Sequence, residues 1–387
     1  MKILIVSKSP THPINAGNRW GVLAQCNVLR ELGAEVHFLY VEERALSSKR
    51  RAEYDSILNE MRNYWGESLH VYHVSKLIKI GFVIKKTIYG LLQMRPRCDS
   101  YFPNGLIRFV NQLNKEYNFT VCIVQYFYLT KLLTRISIPQ KALMTHDNYT
   151  YKDLRLSCRP KDCDHTVDAN QMAKAIQRSP HVFSVQDDER IFFAQLSPRS
   201  VHYTIYSGYD FHDQAIVGNR NILFFSGGNQ FNINGIKWFI NYVFPLIRKK
   251  YEDATLIIGG SICDALHQFS DIEGVNTVGF VKDPAEFYKL GDIAINPVYQ
   301  GTGLKIKTFE SLSYGKVTIV HPHSLEGIFQ KDAAPLLSSD DPNEWVDFID
   351  KIWTDQLFIS DMKGRIHNYF ERLNSHIDSE YKRFLMY

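Results

Sequence analysis

AINPVYQGTGLKIKTFESLSYGKVTIVHPHSLEG, residues 294–327, reads as strand, glycine loop, helix and strand in succession. Ile293 to Asn296 is a short apolar run, Gly301-Thr302-Gly303 is a loop free of Cβ crowding, and Ile306, Phe309 and Leu312 recur at helical spacing. Gly315 stands where a helix stop belongs. Lys305 and Lys307 fall at the start of this predicted helix, where free N–H groups and the positive end of the macrodipole favour anions and oppose cations. Two lysines there point to a bound anion, because a glycine loop ahead of a helix N-terminus lets phosphate oxygens approach backbone amides. Glu310, a turn further in, can accept hydrogen bonds from two hydroxyls of a sugar or ribose. The plainer alternative is an ordinary β-loop-α unit with solvated lysines.

Working outward, the remaining sequence carries the same alternation. Strands are expected at Ile3–Val6, Val36–Val41, Thr120–Val124, Ala142–Thr145, Val182–Val185, Ile222–Phe225, Thr255–Ile258 and Val275–Phe280, each an apolar run of the kind buried in a parallel sheet. Helices are expected after Gly17 up to Gly33, at Ile236–Lys250, Pro284–Leu290, Pro342–Trp353, Gln356–Leu373 and Glu380–Tyr387. The fold class is therefore α/β, with two Rossmann-like halves: residues 1–207, residues 208–365, and a tail, 366–387, able to cross back to the first. Tyr149–His165 reads as a mobile polar loop. The first loop has no GxGxxG, which argues against a dinucleotide-dependent dehydrogenase.

At 387 residues, 45% hydrophobic and 13% aromatic, the chain can build two cores, and a net charge of +4 is weak for a nucleic-acid binder. Six scattered cysteines suit reduced thiols, and Cys158, Cys163 and His165 lack a second ligand pair at zinc spacing. MKILIVSKSP has too short an apolar core for a signal peptide, and no segment reaches the length of a spanning helix, so a cytoplasmic protein is expected. Lys76–Arg97 holds six basic residues and no acid, with apolar residues between them. It reads equally as an interfacial helix on an anionic membrane or as a core-packing helix with snorkelling lysines.

The 294–327 segment resembles the C-terminal signature of family 4 glycosyltransferases, retaining nucleotide-sugar enzymes of GT-B fold, in a variant with glycine-threonine-glycine-leucine-lysine ahead of a glutamate-bearing helix. The resemblance implies two facing Rossmann-like domains with a cleft between them. It implies a nucleoside diphosphate sugar as donor, no metal and no other cofactor, and a glycan or lipid-linked acceptor. The family's pair of glutamates falls on Thr302 and Glu310, so only the second is present. Backbone amides of Gly303 and Leu304, with Lys305 and Lys307, would hold the diphosphate, and Glu310 the sugar or ribose.

Further back, the family's diphosphate-binding arginine and lysine fall on Asn229 and Asn234, with Gly228 and Gly235 retained, so Lys305 and Lys307 would supply the missing charge. His146, after the strand Ala142–Thr145, matches a histidine that positions the reacting sugar, with Asp147 available to orient it. Gly17, with Asn18 and Arg19, matches the family's first cleft loop. An epimerase of the same fold, an inverting transferase and a non-catalytic sugar-nucleotide-binding partner are the alternatives.

Overall fold

A computed structural model describes residues 1–14, 17–42, 48–163, 165–266, 269 and 271–387. The chain divides into two compact units, Met1–Gly208 with His376–Tyr387, and Tyr209–Ser375.

In the first unit the order is β1 (Lys2–Ser7), α1 (Gly17–Glu31), β2 (Glu35–Glu42), α2 (Ser48–Trp65), β3 (Leu69–His73), α3 (Lys76–Leu91), α4 (Gly105–Tyr117), β4 (Val121–Gln125), β5 (Gln140–Met144), α5 (Lys152–Arg155), α6 (Ala169–Ile176), β6 (His181–Ser184), α7 (Asp187–Leu196) and β7 (Val201–Thr204). The seven strands form one parallel sheet in the order β3-β2-β1-β4-β5-β6-β7. Ile3, Leu4, Ile5 and Val6 are wholly inaccessible, which is why β1 reads as an unbroken apolar run: helices cover both faces of the sheet.

The second unit contains β8 (Asn221–Phe225), α8 (Gln230–Trp238), α9 (Phe244–Lys250), β9 (Thr255–Gly259), β10 (Val275–Gly279), α10 (Pro284–Tyr288), β11 (Ile293–Asn296), α11 (Ile306–Ser313), β12 (Val317–Val320), β13 (Leu336–Ser338), α12 (Pro342–Thr354) and the start of α13 (Gln356–Leu385). Its parallel sheet runs β10-β9-β8-β11-β12-β13. The chain winds one way from β8 and then the other from β11, so the loops after these two strands flank a topological switch point, where open α/β sheets leave a crevice. Trp345 fills the core beneath, between Trp238 and Phe239.

Several expectations need correction. The helix expected at Ile236 begins six residues earlier, at Gln230, and passes through a π turn at Phe239–Val243 before α9. Pro245, which has no N–H for the ladder, lies just beyond that turn. The two helices expected after Gln356 are one helix of 30 residues, because nothing between Leu373 and Glu380 breaks it. The Tyr149–His165 segment, of which residue 164 lies outside the described residues, contains the one-turn helix α5 and alternates buried residues with exposed ones such as Leu154. Its Asp153 is buried and accepts from Arg95 Nε at 2.9 Å and Nη2 at 2.8 Å.

Candidate functional site

The loop from Pro297 to Lys305 follows β11, and side chains from several elements fix its course. His323 Nε2 donates to the Gly301 carbonyl at 3.1 Å, Ser324 Oγ to the Val298 carbonyl at 2.8 Å, and Asn234 Nδ2 to Gln300 Oε1 at 3.3 Å. Gly301 has φ 108° and Gly303 φ 76°, a region only glycine enters freely, and a Cβ on Gly301 would press on the Phe231 ring at 3.3 Å. Thr302 and Leu304 are half-buried in the same loop. Gly315, at φ 68°, closes the far end of α11.

α11 starts without a side-chain cap, and Lys305 is its N-cap residue. Lys305 is nearly buried and donates to the Gly303 carbonyl at 3.1 Å. Lys307 Nζ donates to Asn232 Oδ1. Burial, and then the neighbouring Lys305, pull Lys307 down to about 7. One turn on, burial lifts Glu310 to about 7 against the opposing pull of Lys307. Its surroundings are aromatic: Tyr288 and Tyr314 stack at 4.7 Å, Tyr209 stacks on Phe309 at 6.0 Å, and the Glu310 charge raises all three phenols, second to burial. These tyrosines, His323 and Asn232 were not singled out from the sequence. Only fold-level proximity brings them to the loop.

α8 begins beside this loop. Asn229 is its N-cap, and its Oδ1 accepts from the Asn232 N–H at 3.0 Å. Asn234 accepts from Gln230 Nε2 at 2.8 Å as well as donating to Gln300. Neither asparagine simply replaces a cation, since both carboxamides hold local structure. The side chain that meets Lys307 is Asn232, whose Nδ2 is fixed by the Gly227 carbonyl at 2.8 Å. Gly228 lies against Ser261, and its N–H donates to Ser261 Oγ at 3.3 Å. At Gly235 a Cβ would stand 2.8 Å from the Pro297 carbonyl oxygen and 2.9 Å from Val298 Cα. A side chain there would push α8 off the loop. Asn229, Gly228, Gly235, Lys305, Lys307 and Glu310 thus share one loop cluster at the carboxyl ends of β8, β9 and β11.

In the first unit, His146 follows β5 with φ 64° and stacks on Tyr126 at 4.3 Å. Gln125 Nε2 donates to Gln25 Oε1 at 2.7 Å, which leaves Gln125 Oε1 to accept from His146 Nε2 at 2.6 Å. Burial pulls this imidazole down to about 3, so it is neutral, with Nδ1 as its acceptor. The expected orienting partner is corrected: Asp147 pairs with Lys152 at 2.6 Å, and Gln125 orients the ring instead. Glu189, in the first turn of α7, is buried, and its Oε1 accepts from the Asn148 N–H at 3.2 Å and from Gln186 Nε2 at 2.9 Å. Burial and then Asp147 raise it to about 8.

Gly17 is the first residue of α1 rather than a loop glycine. Asn18 Nδ2 donates to Ser9 Oγ at 3.2 Å and Arg19 to the Pro13 carbonyl at 3.3 Å, so both tie the helix to the segment after β1.

Residues 219–355 match the family model described as Glycosyl transferases group 1. With the two parallel Rossmann-like sheets of a GT-B fold, that domain marks the chain as a glycosyltransferase. A curated relative is an uncharacterized 44.6 kDa protein in the cps region of Klebsiella pneumoniae, 22% identical across 98% of this chain and 97% of that protein. Among solved structures, TarM superposes with a TM-score of 0.69 at 10% identity, over 99% of this chain and 98% of that one. Anabaena HepE in complex with UDP gives 0.65 at 13% identity, over all of both chains.

Proposed function

We propose that the chain moves a sugar from a nucleoside diphosphate sugar to an acceptor hydroxyl with retention of anomeric configuration, without a divalent metal, in polysaccharide or lipid-linked glycan assembly at a membrane surface. The observation that carries this reading is the pairing of Lys305 and Lys307 at an uncapped helix start behind a glycine loop. Two cations and the amides of Gly303 and Leu304 form a set of donors suited to the charge that grows on a departing diphosphate, and preorganised donors of this kind are commonly a large catalytic contribution. Glu310 accepts from sugar or ribose hydroxyls. His146, neutral and donating to Gln125, offers Nδ1 to a hydroxyl of the reacting sugar.

In the retaining step the acceptor oxygen forms its bond to the anomeric carbon on the face the diphosphate leaves. The anomeric carbon–phosphate oxygen bond breaks, and the acceptor's proton passes to the leaving phosphate. HepE was solved with UDP, and a TarM variant was solved with UDP and α-GlcNAc-glycerol. UDP is therefore the nucleotide to try first here. The cps-region location of the 22% identical relative supports the glycan-assembly reading.

The test is calorimetric titration with UDP, GDP, dTDP and CMP, followed by turnover of the sugar nucleotide of the base that binds. Release of nucleoside diphosphate only when acceptor is present, with an α-linked product from an α-linked donor, is the expected result. Interconversion of sugar epimers without acceptor would make the protein an epimerase. Binding without turnover across a broad acceptor panel would make it a non-catalytic partner.

A further inference from the structure

Helix α3 turns its apolar side away from the protein. Ser75 caps it, accepting from the Ile78 N–H at 3.5 Å, and no residue of the helix is fully buried. At about 100° per residue, Leu77, Ile80, Ile84, Ile88 and Leu91 fall in one stripe. Leu77 is 82% exposed, Leu91 77% and Ile84 54%. Val83, Leu92 and Met94 extend the same exposed surface.

The opposite side is fastened down. Ile78 and Phe82 pack on the core of the first unit, Tyr89 Oη meets Ser100 Oγ at 3.1 Å, and Lys85 Nζ donates to the Ser100 carbonyl at 3.3 Å. Just past the helix, Arg95 is locked to Asp153. These anchors fix the roll of α3, so the stripe cannot turn inward. Water is a poor partner for a surface of this kind.

Charge indicates the occupant. Residues 76–97 include Lys76, Lys79, Lys85, Lys86, Arg95 and Arg97 and no acid. Lys76 borders the stripe at Ile80 and Val83, with Lys79 and Lys86 further round the same side, so that lysine stems lie along the helix while their ammonium groups reach a headgroup layer. No helix among the described residues is long and apolar enough to cross a membrane, and α3, at 16 residues, would lie flat.

We infer that α3 is a docking surface for an anionic lipid bilayer, its stripe entering the interface and its lysines meeting the headgroups. This names the membrane-facing element of the proposed function and is independent of the donor site.

The experiment is sedimentation of the full chain with vesicles of phosphatidylcholine alone, or with about a quarter phosphatidylglycerol. Wild type should bind the anionic vesicles roughly tenfold better than the neutral ones. Ile84→Asp/Leu91→Asp should lose roughly tenfold or more on the anionic vesicles, and Lys76→Glu/Lys86→Glu should lose the preference for anionic lipid. Wild-type protein that fails to pellet, or an Ile84→Asp/Leu91→Asp protein that pellets like wild type, would overturn the proposal. So would a solution dimer that this variant disperses without any vesicle binding, since the stripe would then meet a second copy. Nucleotide titration of each variant keeps the two readings apart: binding retained shows the donor site intact, and absence of nucleotide binding in wild type counts against the donor site alone.

Discussion

Helices α8 and α11 both start in the loop cluster at the carboxyl edge of the second sheet, and they treat their free N–H groups in opposite ways. α8 is capped from within, Asn229 accepting from Asn232. α11 has no side-chain cap, carries Lys305 at the N-cap position and Lys307 one residue inside, and has no acid in its first turn. A helix start that satisfies itself needs nothing further. One that gathers cations against its own dipole gains most when a negative ligand arrives.

Removing the cations should produce the largest effect. Lys305→Ala/Lys307→Ala is expected to weaken UDP binding roughly a hundredfold, as for two lost hydrogen bonds from charged donors. Thermal melts should show this variant at least as stable as wild type, because a half-buried amine that burial holds near 7 is a cost to the empty fold.

Next in size is Gly235→Ala. The new methyl would meet the backbone of Pro297 and Val298, which cannot rotate away, so a loss of about 2 kcal/mol in stability is expected by denaturant titration. Nucleotide affinity should fall with it, since Asn234 and Pro297 belong to the same loop contact. Stability unchanged at this position would mean that α8 and the glycine loop are not coupled.

The pH dependence sharpens the contrast. Lys307 in the free protein titrates near 7, and a bound diphosphate favours its charged form, so binding takes up a proton. Affinity should therefore be full below pH 7 and decline as pH rises from 7 to 9, by about tenfold. Glu310, also near 7, acts in the opposite direction as it ionises, because its carboxylate favours the charged form of Lys307 and accepts from sugar hydroxyls, so it shallows the slope without reversing it. A flat profile in Lys307→Met beside a sloping one in wild type would assign the slope to Lys307, and a flat profile in wild type would remove it from the site.

The smallest effect belongs to the self-contained helix. Asn229→Ala should cost about 1 kcal/mol of stability, as for other caps, and leave UDP affinity within about twofold. A large loss of affinity would show that Asn229 contacts the ligand after all.

The same contrast governs what the sequence revealed. β11, the glycine loop and α11 were legible because an apolar run, two glycines and a three-residue apolar spacing sit in strict succession. α8 was not, because Asn229, Asn232, Asn234 and Gly235 carry the composition of a turn, and only the folded chain shows one asparagine as a cap and another, Asn232, buried and bonded to Lys307. His146 was singled out only through the family resemblance, whereas Gln125 and Gln25, which fix its ring, come from other elements far away in sequence. In α3 the amphipathic spacing was plain, but periodicity cannot say which side meets the core. The Ser100, Ile78 and Phe82 contacts decide it. Glu189 stands in the first turn of α7, and its burial against Asp147 depends on the packing of the segment that follows β5, about which local sequence is silent.

The most direct test sets the two helix starts against each other: UDP titrated by calorimetry into wild type, Asn229→Ala and Lys305→Ala/Lys307→Ala at one pH. The account predicts tight binding by wild type, nearly the same by Asn229→Ala, and loss in the double variant. Equal binding by all three, or a loss confined to Asn229→Ala, would contradict it.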